Sequence, residues 1–217
     1  MVGTPIGNLE DITLRAVRIL QSVDVIACED TRVSQRLLKH HAIHKPLVAC
    51  HEHSHEAAYT RLVQRLLGGV SIAYISDAGT PGVNDPGGKL VAAAFVAGIK
   101  VETIPGPSAL TAAISVCGFP MDEFVYLGFV PHKKGRETMF REIAARRTPS
   151  VCFESTHRIE KTLVALAKVV DPARLICVGR ELTKLHETVY RGSIDEVQTA
   201  LQTTSTKGEF VIIIGPA

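Results

Sequence analysis

The stretch with the densest set of chemistry-bearing residues is 74–88, YISDAGTPGVNDPGG. It combines the carboxylates Asp77 and Asp85 with four glycines and with Pro81 and Pro86. Glycine lets the main chain approach a ligand closely, and proline fixes φ and removes an N–H donor. An apolar run precedes the stretch and a helical pattern follows it, with Asp85 as the predicted N-cap. Open α/β sheets bind ligands in such loops, so we interpret the stretch as a rigid binding loop.

Two further turns are built in the same way, GTPIGN at 3–8 and IPGPSA at 104–109. A simple strand-to-helix connection needs only about 2–6 residues, and the loop that contains Asp77 is longer than that. Neither a dinucleotide fingerprint nor a triphosphate-binding loop is present in the sequence. A carboxylate and exposed carbonyl oxygens favour a cation. The turns therefore suit a nucleoside with a positive centre, and S-adenosylmethionine fits that description.

The elements around these turns predict an α/β protein. Strand, turn and helix recur through the first half, which favours a parallel-rich sheet and includes an expected strand at 100–104. Closely spaced strands near the end favour antiparallel pairing, and thus a mixed sheet, in the second half. The turn signal at 118–120 places the domain boundary there. We expect an N-terminal α/β domain over 1–118 and a C-terminal α/β domain over 119–217.

Histidines and cysteines raise the question of a metal. His51, His53 and His55 alternate within HEHSHE, but alternation aligns them only in an extended segment, and the residues that follow predict a helix start. A polar loop or a solvated edge explains the same pattern. The five cysteines are odd in number and have no CxxC spacing. They indicate reduced thiols in a cytoplasmic protein, and we expect no metal.

Composition excludes a membrane protein and leaves the partner open. Among the 217 residues, 46% are hydrophobic and 21% are charged, and no apolar run is long enough to cross a bilayer. We expect no secretory signal ahead of Gly3. The net charge of +2 does not by itself indicate a nucleic-acid partner. The charge is uneven, however, because 132–147 holds six Lys or Arg against two Glu.

Seven motifs together resemble the tetrapyrrole-methylase superfamily, and more narrowly its bacterial branch that methylates the 2′-oxygen of a cytidine in 16S ribosomal RNA. They are GTPIGN at 3–8, EDTR at 29–32, SDAGTPGVNDPG at 76–87, IPGPSA at 104–109, FESTHR at 153–158, GRELTKLHE at 179–187 and GEFVIIIG at 208–215. The resemblance covers nearly the whole chain. One departure is Thr156, which stands where the family carries proline. The family also has an apolar strand ahead of the first turn, where this sequence has Met1 and Val2.

The resemblance implies a two-domain fold with S-adenosylmethionine in the cleft between the domains, a homodimer, and a cytidine of the 30S decoding centre as acceptor. The cofactor contacts it implies are Thr4, Pro5, Asp77, Ala78, Gly79, Thr80, Val83, Pro107, Ser108, Ala109, Leu127, Glu181, Leu182, Thr183, Gly215 and Pro216. Two of these have structural alternatives. Leu127 could be strand core, and Ser108 could be an N-cap as well as a contact.

Methyl transfer to a ribose hydroxyl is an in-line displacement, for which a protein supplies chiefly positioning and exclusion of water. A general base near the 2′-hydroxyl would add about 10²–10⁴-fold. The candidate catalytic residues lie at strand ends: Asp30, Glu154 and His157, with Glu187 in addition. An ion pair with Arg32, Arg158 or Arg180 is the structural alternative for each of them. For Asp30, capping of the following helix is a further alternative.

The residues proposed to bind RNA phosphates are basic: Arg32, Arg36, Lys133, Lys134 and Arg136. A solvated helix face explains the same charges. Two other functions stay open. A small-molecule or protein methylase of the same superfamily would have an apolar acceptor cleft and would not need ribosomal RNA. A non-catalytic ribosome-assembly or nucleotide-binding protein would bind without turnover.

Overall fold

The computed structural model describes residues 1–51 and 56–217, so His53 and His55 lie outside the described residues. The described chain divides into two compact units, Met1–Ser108 and Ala109–Ala217. Each unit carries its own sheet. The prediction of an α/β fold with a parallel-rich first sheet and a mixed second sheet is confirmed.

The first unit alternates strands and helices in chain order. A 3-10 turn at Leu9–Asp11 precedes the regular elements, which are α1 (Leu14–Ser22), β1 (Val25–Cys28), α2 (Thr31–His40), β2 (Leu47–Ala49), α3 (Glu56–Leu67), β3 (Ile72–Ile75) and α4 (Gly87–Val96). The sheet has the order β2-β1-β3, and both pairings are parallel. All four residues of β1 are buried, as expected for a central parallel strand covered on both faces.

The start of the chain joins two segments of this unit. The Val2 N–H donates to the Tyr74 carbonyl over 2.9 Å, and the Gly3 N–H donates to the Ile104 carbonyl over 2.9 Å. Val2 and Ile104 form a single parallel bridge. The prediction of a strand over 100–104 is wrong except at Ile104. Among the described residues, Ile104 is the one residue of this segment that pairs with another strand segment.

The second unit is a five-stranded sheet with helices. Its elements are α5 (Ala109–Cys117), β4 (Val125–Phe129), α6 (Arg136–Ala145), β5 (Ser150–Ser155), α7 (Ile159–Ala167), β6 (Ile176–Arg180), β7 (Thr188–Gly192), α8 (Ile194–Thr203) and β8 (Glu209–Ile214). The order is β4-β5-β8-β6-β7. Only β4 and β5 pair in parallel, and the other pairs are antiparallel.

Helix α5 belongs to the second unit. It packs against β6, β7 and β8, so the contacts divide the chain before this helix and not at Gly118, after it. The other face of the same sheet carries the larger core, to which Cys152, Val178 and Ile212 contribute. Among the described residues, no helix combines the length and apolar character that a membrane crossing requires.

Candidate functional site

The three Gly/Pro turns meet within the first unit. Thr4 and Gly79 form an antiparallel bridge in which each N–H donates to the other residue's carbonyl, over 2.9 and 3.1 Å. Gly79 has φ +80°, a conformation that glycine adopts without steric cost. Thr4 is buried at 1% exposure, so its role here is to hold the Gly79 loop in place.

The third turn packs directly on the first. A Cβ atom on Gly3 would lie 2.8 Å from the Gly106 backbone, so only two glycines allow this approach. The Thr80 hydroxyl donates to the Pro107 carbonyl over 3.0 Å. The three turns are therefore in direct contact with one another.

Asp85 fixes the shape of the long loop. Its carboxylate accepts from the N–H groups of Gly82 at 2.6 Å, Val83 at 3.0 Å and Gly87 at 2.8 Å. The prediction of Asp85 as the N-cap is wrong by one residue, since Pro86 occupies that position and α4 begins at Gly87. The Asp85 carboxylate still accepts a hydrogen bond from the N–H of Gly87, the first helical residue, through Oδ1. Its other oxygen, Oδ2, accepts from the two loop N–H groups.

Asp77 links the loop to the end of β1. Its Oδ1 accepts from the Asp30 N–H at 3.0 Å, and its own N–H donates to Glu29 Oε1 at 3.1 Å. Asp77 is exposed. Its second carboxylate oxygen has no protein partner in residues 1–51 or 56–217.

Asp30 is the N-cap of α2. Its carboxylate accepts from the Arg32 N–H at 2.8 Å and pairs with the Arg32 guanidinium at 2.6 Å. These hydrogen bonds from the side chain and backbone of Arg32 lower the pKa of Asp30 to about 2. Such a carboxylate is a weak base, so the capping and ion-pair interpretations account for Asp30.

Glu154 and His157 differ in what surrounds them. Glu154 is buried at 1% exposure and accepts from the Thr162 hydroxyl at 2.6 Å. Its other oxygen lies 3.0 Å from Nε of Arg158, which also donates to the Val130 carbonyl. Glu154 therefore has the ion pair that the sequence offered as its alternative. His157 is exposed and has no hydrogen-bonding partner within the described chain.

The segment Glu181-Leu182-Thr183 follows β6 and has an unusual backbone. Glu181 and Thr183 have φ of +50° and +67°, a region that costs non-glycine residues energy. The Thr183 N–H donates to Glu187 Oε2 at 2.5 Å, which gives Glu187 a structural role. Thr183 Oγ1 is buried, and no partner for it occurs among the described residues. An unsatisfied hydroxyl on a strained backbone is typical of a ligand contact.

Gly215 and Pro216, two other predicted cofactor contacts in the second unit, lie at the end of the sheet opposite to Glu181. The register pairs Arg180 with Phe210 and Ile176 with Ile214, so Gly215 and Glu181 lie at opposite ends of β6. Both backbone polar groups of Gly215 are occupied, by the Leu175 carbonyl and by the Arg174 guanidinium. Pro216, which follows, is exposed.

The Leu127 side chain packs against the hydrophobic core of the second unit. The alternative role of Leu127, as part of the hydrophobic core beneath the strand, therefore accounts for the position of its side chain.

Thr156 has a structural role that the sequence did not reveal. Its hydroxyl donates to the Gly208 carbonyl at 2.6 Å and accepts from the Gly208 N–H at 2.7 Å. A proline at position 156 could form neither bond. The departure from the family pattern therefore joins two of the seven motifs, and only the long-range fold could have identified it.

The predicted RNA-binding residues fall into two groups. Arg136 donates to the Thr162 hydroxyl at 2.9 Å and lies over the Phe140 ring at 5.4 Å, so it is engaged within the fold. The other four are exposed: Arg32, Arg36, Lys133 and Lys134. Arg32 combines that exposure with its ion pair to Asp30.

The cysteines and the apolar groove of the first unit are the other features that could carry chemistry or bind a ligand. All five cysteines are free and buried, and burial raises the pKa of Cys152 to about 12 and that of Cys177 to about 11. In the described residues, no group of three or more His, Cys, Asp or Glu side chains could hold a metal. An apolar groove lined by Val2, Tyr74 and Ile104, among others, contains none of the predicted cofactor contacts.

Comparisons with known proteins agree with this description. Residues 1–198 match the family model of the tetrapyrrole (corrin/porphyrin) methylases. A protein of Xylella fastidiosa named ribosomal RNA small subunit methyltransferase I is 45% identical over 99% of this chain and 80% of its own length. The Thermotoga maritima protein of the same name is 38% identical over 99% of this chain and 96% of its own length.

Solved structures show the same fold at low identity. The methyltransferase CobJ superposes with a TM-score of 0.71 at 18% identity, covering 100% of this chain and 92% of its own. A uroporphyrin-III-C-methyltransferase from Thermus thermophilus gives 0.67 at 20% identity, with 99% and 92% covered. The chain therefore belongs to the tetrapyrrole methylase family, and within it to the methyltransferases represented by ribosomal RNA small subunit methyltransferase I.

Proposed function

We propose that this chain transfers a methyl group from S-adenosylmethionine to the ribose 2′-hydroxyl of a cytidine in the decoding centre of 16S ribosomal RNA, in the cytoplasm. The observation that carries the proposal is the convergence of the three Gly/Pro turns, one of which contains the exposed carboxylate of Asp77. The names of the 38–45% identical relatives support the acceptor, since they specify small-subunit ribosomal RNA.

The residues at the turns fit this cofactor. Asp77 offers one carboxylate oxygen that has no partner among the described residues, and this oxygen suits either the hydroxyls or the cationic groups of S-adenosylmethionine. Gly79 and Thr80 present a backbone that Thr4 and Pro107 hold in place. We therefore assign direct contacts to the segment 77–80, to Val83 and to 107–109, with Thr4 and buried Pro5 as positioning residues. Thr183 is kept as a further contact because its hydroxyl lacks a protein partner.

The cofactor supplies an electrophilic methyl group on a sulfonium. The protein must hold this methyl in line with the acceptor oxygen and exclude water, which requires a rigid surface more than a reactive side chain. The acceptor proton needs a base or a route to solvent. Of Asp30, Glu154 and His157, only His157 is exposed without a structural partner in the described chain, so we assign the base to His157.

Basic side chains would hold the RNA. Lys133 and Lys134 are exposed in the loop before α6, and Arg36 is exposed on α2. Phosphate contacts of this kind dominate the affinity for RNA and weaken with salt. Homodimer formation is part of the proposal, and sedimentation velocity of the purified chain tests it.

The test is a comparison of acceptors. The chain is incubated with S-adenosylmethionine labelled on the methyl carbon and, separately, with 30S subunits from a strain that lacks the corresponding enzyme or with a reduced tetrapyrrole. Label in 16S ribosomal RNA alone supports the proposal. Label in the tetrapyrrole favours the small-molecule methylase, and cofactor or RNA binding without any transfer favours the assembly protein.

A further inference from the structure

Strand β4 contains a bulge that changes which way its side chains point. The pairing with β5 shifts between Tyr126 and Phe129, and Gly128 within the shift has φ +69°. In a regular strand, residues three positions apart point to opposite faces of the sheet. The extra residue of a bulge re-aims the side chains that follow it. Tyr126 and Phe129 consequently lie on one face of the sheet.

The bulge gathers three aromatic rings at this edge of the sheet. The centroid of Phe153 lies 5.2 Å from that of Tyr126 and 5.4 Å from that of Phe129, in edge-to-face arrangements. Leu127 and Cys152 belong to the core on the other face. Phe129 is 57% exposed, so a large apolar ring faces solvent on the terminal strand of the sheet.

A cationic segment follows Phe129 in the sequence. Residues 129–136 read FVPHKKGR and contain no acidic residue, and Lys133 and Lys134 are exposed. An exposed ring next to lysines is complementary to a nucleotide, in which a flat base is joined to an anionic phosphate. Proteins that bind single-stranded nucleic acid combine these two features, because aromatic rings stack on the bases while cations hold the phosphates.

We propose that Phe129, supported by Tyr126 and Phe153, is a stacking surface for one unpaired base of the RNA, with Lys133 and Lys134 on the adjoining phosphates. The inference rests on the proposed RNA-methylating function and adds a recognition site to it. The bulge at Gly128 presents the ring, and the edge-to-face contacts hold it in place, so little side-chain entropy is lost on binding.

The test measures binding and not turnover. A fluorescein-labelled oligocytidine RNA of about 10 nucleotides is titrated with wild type, Phe129→Leu and Phe129→Trp at several salt concentrations. We expect Phe129→Leu to weaken binding roughly 5- to 30-fold without changing the slope of log affinity against log salt. Phe129→Trp keeps affinity, and as the chain's single tryptophan its fluorescence is quenched by the RNA. Phe95→Leu, at a 66% exposed position in α4, is the matched control and changes nothing.

Three outcomes overturn the inference. They are no binding of the oligonucleotide by wild type, equal affinity for Phe129→Leu and wild type, or an unquenched tryptophan. If equal affinity is accompanied by a change of sedimentation with Phe129→Leu, the ring is a protein contact. The proposed function fails separately, since it requires label transfer to 30S subunits by wild type. If wild type transfers the label but Phe129→Leu binds RNA as wild type does, only the stacking surface is refuted.

Discussion

At the scale of single residues, the role of each polar side chain depends on the partner that it finds in the folded protein. The motifs drew attention to Asp30 and Glu154, and each proved to have a cationic partner within the fold. Sequence could name those partners as alternatives but could not choose between them. For Thr156, the sequence could not name the partner at all, because Gly208 lies in another motif.

Asp30→Asn tests the ion pair, since asparagine still caps the helix but carries no charge. The folded-state pKa of Asp30 is lowered from 3.8 to about 2, so its charge stabilises the fold above the unfolded pKa. That stability is lost as pH falls through about 2. We expect Asp30→Asn to unfold at lower urea than wild type at neutral pH, and the difference to vanish below about pH 2, where Asp30 is protonated in both states. Asp122→Asn, at an exposed carboxylate, is the control and should unfold at the same urea concentration as wild type at every pH. Equal stability of Asp30→Asn and wild type at neutral pH would contradict the role assigned to the ion pair.

Thr156→Val removes the hydroxyl that bridges to Gly208 and keeps the side-chain shape. The Gly208 N–H and carbonyl lose their partner, which should cost about 1–3 kcal/mol in the free energy of unfolding. Urea denaturation measures the change. Thr138→Val, at an exposed position in α6, is the control and should stay within about 0.5 kcal/mol of wild type. Equal stability of the two variants would mean that the bridge contributes nothing.

His157→Gln tests the proposed base. If His157 accepts the acceptor proton, kcat should fall by about 10²–10⁴. Affinity for S-adenosylhomocysteine, measured by calorimetry, should not change. A kcat within a few fold of wild type would assign proton removal to solvent or to another group.

At the scale of elements, the Gly/Pro turns were predictable and their neighbours less so. Glycine and proline spacing marks a turn locally, whereas strand formation depends on a partner. The segment 100–104 fits the recurring order of strand, turn and helix, yet within residues 1–51 and 56–217 only Ile104 pairs. Helix α5 shows the same limit, because its composition did not tell which sheet it packs on.

Gly3→Ala tests whether the turns must meet to bind the cofactor. The new Cβ would lie 2.8 Å from the Gly106 backbone, so one turn must move. We expect affinity for S-adenosylhomocysteine to fall at least tenfold and stability to drop by about 1–3 kcal/mol. Gly88→Ala, where nothing lies within 4 Å, is the matched control and should bind normally. Normal binding by Gly3→Ala would separate the cofactor from the turns.

At the scale of the whole molecule, the fold class and family were readable from the sequence because seven motifs in fixed order constrain almost the entire chain. The strand order β4-β5-β8-β6-β7 was not readable, since it depends on long-range pairing of chemically similar apolar strands. Net charge was equally uninformative, because +2 conceals a basic segment at 132–147.

The most direct test of the account is the position of the transferred methyl group. After reaction with 30S subunits from a strain lacking the enzyme, 16S ribosomal RNA is hydrolysed in alkali, which requires a free 2′-hydroxyl to cleave each linkage. We predict that the label is recovered in one alkali-resistant dinucleotide that begins with cytidine from the decoding centre. Label on a base, label on a ribosomal protein, or no incorporation would contradict the account.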